Sequence, residues 1–103
     1  MTTVKINKDK NTISQVTISG HALSGEYGSD LVCAGISTVI TGLCNALDQL
    51  SEYDGDKITI KEGYVNIPDV NSNDAVQLIM EVLIVQLKTI EENYSNYIEI
   101  SYI

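Results

Sequence analysis

The sequence contains no arginine, tryptophan or phenylalanine, and it has one histidine and one proline. Its six lysines are outnumbered by fourteen acidic residues, so the net charge is -8. A protein that binds DNA or RNA needs clustered basic side chains to displace the counterions of the phosphates, and this composition excludes that class of function. The charge instead favours a soluble protein with a basic partner.

Long hydrophobic runs are also missing. The N-terminal segment "MTTVKINKDK" alternates like a strand and lacks the apolar centre of a signal peptide. The richest apolar run, Ala75 to Leu87, is interrupted by Gln77, Glu81 and Gln86, which makes it too short and too polar to span a bilayer. We therefore expect a cytoplasmic protein with no membrane partner.

Cysteine occurs only at Cys33 and Cys44. The periodicity places both on one helix, where a rise of ~1.5 Å per residue separates them by ~16 Å. Because a disulfide needs Cα atoms within ~7 Å, an intramolecular bridge is excluded. Cys44 falls in the middle of the helix and is expected to be a small packing residue.

The hydrophobic content of 44% is enough for the core of one domain of 103 residues. Val4 and Ile6, then Val16 and Ile18, alternate with polar residues and predict two strands joined as a hairpin. Ile13 is out of phase with the second strand, which predicts a bulge or an edge position there.

The period changes after residue 29, where apolar residues at helical spacing predict a first helix from about Asp30 to Leu50. A second hairpin with the two-residue turn Glu62-Gly63 follows, and then a second helix that begins near Ser72. The C-terminal segment "NYIEISYI" alternates like a strand. The order ββαββαβ predicts an α+β fold with two helices packed on one face of a mostly antiparallel sheet.

The second helix is apolar on both sides. One stripe carries Val76, Ile79/Met80, Leu83, Leu87, Ile90 and Tyr94. The opposite side carries Ala75, Leu78, Val82 and Val85. Because one sheet cannot cover both sides, a neighbouring helix or a second subunit must cover the rest, and a homodimer through this helix is expected.

The residues with reactive chemistry are concentrated between Gly20 and Ser37. Cys33 is predicted in the first turn of the first helix, where unpaired backbone N–H groups and the helix dipole stabilise a thiolate. His21 ends the second strand, and the return of the chain onto the sheet can place its imidazole beside the thiol. The N–H groups of Cys33 and Ala34 would face the oxygen of a bound acyl group, so the pattern favours acyl transfer by a cysteine nucleophile.

Each of these residues also has a structural interpretation. Cysteine is among the most buried residue types, and a lone histidine after a strand is commonly a polar loop residue. Asp30 serves either as the helix cap or as a helper that orients His21 or holds a substrate amide. Ser37, one turn after Cys33, either hydrogen-bonds the sulfur or bonds back to the Cys33 carbonyl.

Two other kinds of site fit the same stretch less well. Gly25 and Gly28 precede a helix N-terminus as in a phosphate-binding loop, but the loop has no lysine and its acidic residues would repel phosphate. A metal site is disfavoured because His21 and Cys33 are the only clear soft ligands, whereas Zn²⁺ usually takes three or four from the protein. Neither a metal nor a cofactor is expected.

The segments "GHA", "EYGSDLVCA" and "GIS" resemble the signature of the ribosomal-processing cysteine protease family of Firmicutes and related bacteria. The spacing between His21 and Cys33 matches that family as well. The resemblance implies that Cys33 is the nucleophile and that His21 is the general base and acid. Asp30 and Ser37 match further family positions and are expected to support the pair.

The resemblance also implies a substrate and a partner. Members of the family remove a short N-terminal extension from the precursor of a large-subunit ribosomal protein, and they are homodimers. The resemblance implies that the substrate has aromatic residues next to the cleaved bond, so an apolar groove is expected near Cys33. The substrate-binding or lid residues are expected in the preceding loop, at Gly20, Ala22, Leu23, Tyr27 and Gly28.

One position departs from the family pattern. Gly35 stands where family members carry alanine-rich sequence, and glycine costs ~1 kcal/mol relative to alanine inside a helix. Close approach of another backbone would explain it.

The rival function from another class is a non-catalytic acidic dimeric adaptor for a basic ribosomal protein or an assembly intermediate. In that case Cys33 would alkylate with the pH dependence of an ordinary thiol, and His21→Ala would not change it.

Overall fold

The computed structural model describes residues 1–20 and 29–103, with side chains from residue 31 onward in the second range. The predicted α+β fold and its element order are confirmed. The helices and strands are β1 (Thr2–Asp9), β2 (Thr12–Ser19), α1 (Ser29–Leu50), β3 (Thr59–Lys61), β4 (Tyr64–Ile67), α2 (Asp74–Asn93) and β5 (Ile98–Tyr102). A short 3₁₀ turn, Gly55–Lys57, stands between α1 and β3.

The five strands form one sheet in the order β3-β4-β2-β1-β5. Every neighbouring pair is antiparallel except β1 and β5, which are parallel. Alternation decides which face is buried: Val4 and Ile6 are fully buried, whereas Lys5 between them is exposed. The core therefore lies on one face of the sheet, beneath the two helices.

The out-of-phase position on β2 is a bulge, as predicted. The register steps from Asn7↔Gln15 to Lys8↔Ile13, so Ser14 is the extra residue. Its hydroxyl donates a hydrogen bond to the Asn7 carbonyl at 3.2 Å. The bulge turns Ile13 into the core, where it is 1% exposed.

Among the described residues, one helical segment, Leu31–Leu50 of α1, is long and apolar enough to cross a membrane by length and composition. Core helices of soluble domains pass the same test. α1 packs against α2. It contributes five residues at helical spacing to the core: Val32, Ile36, Ile40, Cys44 and Leu47. The structure thus uses α1 as a core helix.

α2 begins at Asp74, two residues later than expected, because the Asn73 side chain caps it by accepting hydrogen bonds from the N–H groups of Ala75 and Val76. The stripe facing the core is buried as predicted, except at its end. Tyr94 lies one residue beyond the helix as its C-cap and is 46% exposed. The opposite stripe is exposed, with Leu78 at 66% and Val85 at 60%.

Tyr53, which follows the end of α1, is a core residue. Its hydroxyl donates to the Pro68 carbonyl at 2.6 Å, which ties the end of α1 to the end of β4. Burial, with the nearby charges of Asp69, Cys44 and Asp54, raises the pKa of Tyr53 to about 12.

Candidate active site

Cys33 is the fifth residue of α1, which begins at Ser29. The expected placement in the first turn is therefore wrong by one position. In a regular α-helix the N–H of Cys33 points at the carbonyl of Ser29, and that of Ala34 at the carbonyl of Asp30. The oxyanion role expected of these two N–H groups would require the first turn to open, whereas in a regular helix the N–H groups of the first three residues, Ser29, Asp30 and Leu31, have no intrahelical acceptor.

The half-buried Cys33 lines a groove of about 150 Å³ between α1 and the hairpin formed by β3 and β4. The α1 wall is apolar below the thiol, at Ile36 and Ile40. Val65 and Ile60 of the hairpin contribute to the sheet side of the groove. A groove is thus present near Cys33 as expected, but it is only partly apolar, because Ser37, Thr41 and Lys61 also line it.

Gly20 lines the same groove and closes the end of β2. Its N–H donates to the Gly63 carbonyl at 2.9 Å, and its φ of 89° is a conformation that only glycine adopts without strain. A Cβ at this position would overlap the Met1 carbonyl oxygen. Gly20, which precedes His21 in the sequence, therefore lies at the edge of the groove that holds Cys33.

Five of the expected site residues lie outside the described residues: His21, Ala22, Leu23, Tyr27 and Gly28. The Asp30 backbone belongs to the first turn of α1.

Ser37 lines the groove with Cys33, as expected from its position one turn later on the same face. The back-bond to the Cys33 carbonyl does not form, and Ser37 has no hydrogen bond with another described residue. Its neighbour Thr38 does bond back, to the Ala34 carbonyl at 2.8 Å. The Ser37 hydroxyl is exposed and lies beside the groove, where a substrate can reach it.

The two cysteines differ in the way that their positions predict. Cys44 is 6% exposed and belongs to the core, and its burial raises the pKa of the thiol to about 11. A thiol with this pKa is protonated at neutral pH and is a poor nucleophile. Cys33, with its sulfur at the groove, is the accessible one of the two.

The hairpin side of the groove is the part that the residue pattern alone did not point to. In the sequence, Ile60 and Val65 are simply apolar residues on the two strands of the predicted second hairpin. The sequence feature that indicates this hairpin is the two-residue turn Glu62-Gly63, which joins two short antiparallel strands. The structure places the first of them, β3, at the edge of the sheet. In residues 1–20 and 29–103, no group of three or more His, Cys, Asp or Glu is placed to hold a metal ion.

Comparisons with known proteins match almost the whole length of the chain. A family model described as Cysteine protease Prp matches residues 1–99. The ribosomal processing cysteine protease Prp of Staphylococcus aureus is 41% identical over 105 residues, with 99% of each chain covered. The crystal structure of an essential ribosomal processing protease Prp from S. aureus with a covalently linked product peptide superposes at a TM-score of 0.87 and 39% identity, over 100% of both chains. A second crystal structure of that protease, with a substrate peptide, has a TM-score of 0.88 and 38% identity over the same coverage.

Proposed function

Because the chain belongs to the Prp family of cysteine proteases, we propose that it removes a short N-terminal extension from the precursor of a bacterial large-subunit ribosomal protein. The whole chain acts as a single protease domain. Cys33 is the nucleophile, and His21 is the general base and acid. The observation that carries the assignment of this pair is that Cys33 and Gly20 line one groove, since the residue after Gly20 is the only histidine of the chain.

The reaction proceeds through an acyl-enzyme. The Cys33 sulfur attacks the carbonyl carbon of the scissile bond while His21 takes the thiol proton. His21 then donates that proton to the leaving amine, and a thioester joins Cys33 to the N-terminal fragment. Water, deprotonated by His21, attacks the thioester and releases the fragment with a free carboxyl group. The unpaired N–H groups at the start of α1 stabilise the oxygen of each tetrahedral intermediate.

Asp30 and Ser37 support this pair. A carboxylate near the thiol opposes thiolate formation, so Asp30 acts by orienting the His21 imidazole rather than by adding charge at the sulfur. The free hydroxyl of Ser37 hydrogen-bonds either the sulfur or the substrate backbone. Gly20, Ala22, Leu23, Tyr27 and Gly28 belong to the segment that closes over the peptide.

The net charge of the chain and its exposed apolar residues indicate the kind of partners that it binds. A net charge of -8 suits a basic ribosomal precursor and disfavours direct contact with nucleic acid or anionic lipid. The exposed apolar stripe of α2 at Leu78, Val82 and Val85 supports a homodimer through this helix. The site of action is the cytoplasm, where ribosomal proteins are made, and the chemistry needs no cofactor.

Incubation of the protein with the candidate precursor, followed by mass spectrometry of the new N-terminus, tests the function. We expect a single cut, abolished in Cys33→Ala and retained in Cys44→Ala, because Cys33 lines the groove, whereas Cys44 is 6% exposed and its raised pKa keeps the thiol protonated. The rate of iodoacetamide alkylation against pH then tests the pair. His21→Ala should change the pH dependence of this alkylation rate. Cleavage that survives in Cys33→Ala would rule out this mechanism.

A further inference from the structure

β3 is the outermost strand on one side of the sheet. Its two-residue turn makes Lys61↔Tyr64 the hydrogen-bonded pair that closes the hairpin. Because paired residues in an antiparallel ladder alternate between bonded and non-bonded pairs, the next pair, Ile60↔Val65, is non-bonded. The N–H and C=O of Ile60 therefore point away from β4, and no hydrogen bond between described residues uses them.

The side chain of Ile60 is unusual for its position. It lies on the same face of the sheet as Val65, its partner on β4, yet it is 61% exposed. Ile60 lines the groove of Cys33 and also a second cavity of about 170 Å³ further along α1. The two cavities therefore adjoin at Ile60, and Cys44 also lines the second one.

The second cavity is acidic. Asp48 and Asp56 line the second cavity, which has no lysine among its described lining residues. Neither carboxylate forms an ion pair with another described residue. Asp48 follows Cys33 by 15 positions on α1, or ~22 Å at ~1.5 Å per residue. An extended peptide covers that distance in about six or seven residues at ~3.3 Å each.

We propose that the peptide substrate binds as an added β-strand on the free edge of β3, paired through its backbone with Ile60, and that Asp48 and Asp56 receive a cationic group six or seven residues from the scissile bond. The proposal rests on the function proposed above. Because that cleavage removes a short N-terminal segment, the docked residues are those before the scissile bond, and the cation is a lysine or the α-amino group. Backbone pairing supplies affinity, and the carboxylates select for positive charge.

Proline at position 60 tests the backbone pairing. Proline lacks the N–H and is tolerated on an edge strand where that group faces solvent, so Ile60→Pro removes the donor, while Ile60→Ala removes only the side chain. We expect kcat/KM for a precursor peptide to be about tenfold lower in Ile60→Pro than in Ile60→Ala. The alkylation rate of Cys33 by iodoacetamide, which needs no docked peptide, should be equal in the two variants.

Equal kcat/KM values in the two variants would overturn the proposal while leaving the protease function intact. Failure of the proposed function has a different signature: the wild-type protein does not cut the peptide, or Cys33→Ala still does. Should circular dichroism show that Ile60→Pro is unfolded, N-methylation of the substrate at successive positions replaces it. Strand pairing predicts losses at alternate residues, and uniform tolerance of the methyl groups contradicts it.

The charge preference has its own test. Two peptides are compared that carry lysine or glutamine at the sixth and seventh positions before the scissile bond, with acetylated N-termini. We expect wild type to prefer lysine about tenfold in kcat/KM, and the double variant Asp48→Asn/Asp56→Asn to prefer it less than about twofold. Glu81→Gln, an exposed carboxylate on α2, should keep the full preference. The same preference in the double variant as in wild type would refute this part.

Discussion

Gln77 of α2 supplies hydrogen bonds that β4 is too short to make. The pairing of β2 with β4 reaches only Val16↔Ile67, so the next buried position of β2, Ile13, pairs with β1 on one side and has no described strand on the other. The Gln77 amide replaces that strand. It accepts from the Ile13 N–H at 2.9 Å and donates to the Ile13 carbonyl at 2.8 Å and to the Asn71 carbonyl at 2.7 Å.

Truncating Gln77 should therefore cost more than an ordinary helix substitution. We expect Gln77→Ala to lower the free energy of unfolding by about 1–3 kcal/mol, because it leaves both backbone groups of Ile13 without partners. Urea titration measures this value. Gln86→Ala, an exposed glutamine on the same helix, should change it by less than about 0.5 kcal/mol. Equal effects of the two substitutions would show that the amide does not replace a strand.

Cys44 and Tyr53 make the fold sensitive to base. Burial raises the pKa of Cys44 from 9.0 to about 11 and that of Tyr53 from 10.0 to about 12. Above pH 9 the unfolded chain loses protons that the folded chain retains, so stability falls as pH rises and continues to fall until the folded pKa values are passed. We expect the urea midpoint to decrease steadily between about pH 9 and 12.

Substitutions at Tyr53 and Cys44 test whether these two residues cause the loss of stability above pH 9. Tyr53→Phe and Cys44→Ala should each flatten the decrease above pH 9, because they remove a group that is protonated only in the folded state. Tyr94→Phe is the control, since Tyr94 lies at the surface. A slope that is the same in the two core variants as in wild type would mean that other groups cause the base sensitivity.

At the scale of elements, two glycines next to the site have opposite roles. Gly20 ends β2 with a positive φ and lies against the Met1 carbonyl. Gly35 lies inside α1, and a methyl group added there meets no described atom within 4 Å. The close approach of another backbone that would explain Gly35 is not found among the described residues.

Alanine at these two positions should shift stability in opposite directions. Gly35→Ala should raise the free energy of unfolding by about 0.5–1 kcal/mol through helix propensity. Gly20→Ala should lower it by at least about 1–2 kcal/mol, because alanine is strained at positive φ and its Cβ meets a backbone oxygen. Urea midpoints of the two variants check both signs. A loss of stability in Gly35→Ala would contradict the open space around that helix face.

The elements were more predictable from sequence than their arrangement. The bulge at Ile13 and both helices are predicted by the local spacing of apolar residues, which can be read from a single sequence. The order of the strands depends on tertiary contacts, so nothing local indicated that β5 pairs with β1 or that Tyr53 enters the core. For the site, the spacing of His21 and Cys33 carried the family motif. Two features of the site could be seen only in the folded structure. These are the start of α1 at Ser29, one position earlier than expected, and the contribution of Ile60 to the groove.

At the scale of the whole molecule, α2 leaves an apolar surface uncovered. Leu78 is 66% and Val85 60% exposed, and the two side chains lie on one stripe. Because solvent contact of a continuous apolar stripe is unfavourable, a second copy of the chain is the expected cover.

Charge on that stripe should separate the subunits. We expect the wild type to sediment at twice the mass of one 11.3 kDa chain, and the double variant Leu78→Glu/Val85→Glu to sediment as a monomer. Gln86→Glu introduces one negative charge on an exposed residue of α2 beside the stripe and should remain dimeric. Sedimentation velocity separates the two masses. A double variant that sediments like wild type would place the interface elsewhere.

The parallel pairing of β5 with β1 joins two strands that lie far apart in the sequence. Before β5 has been synthesised, the outer edge of β1 has no strand beside it among the described residues, and its backbone groups are open to pairing with other chains. A variant truncated within α2 is therefore expected to aggregate rather than to act as a shorter protease. Pairing with β5 thus protects β1 from association with other nascent chains.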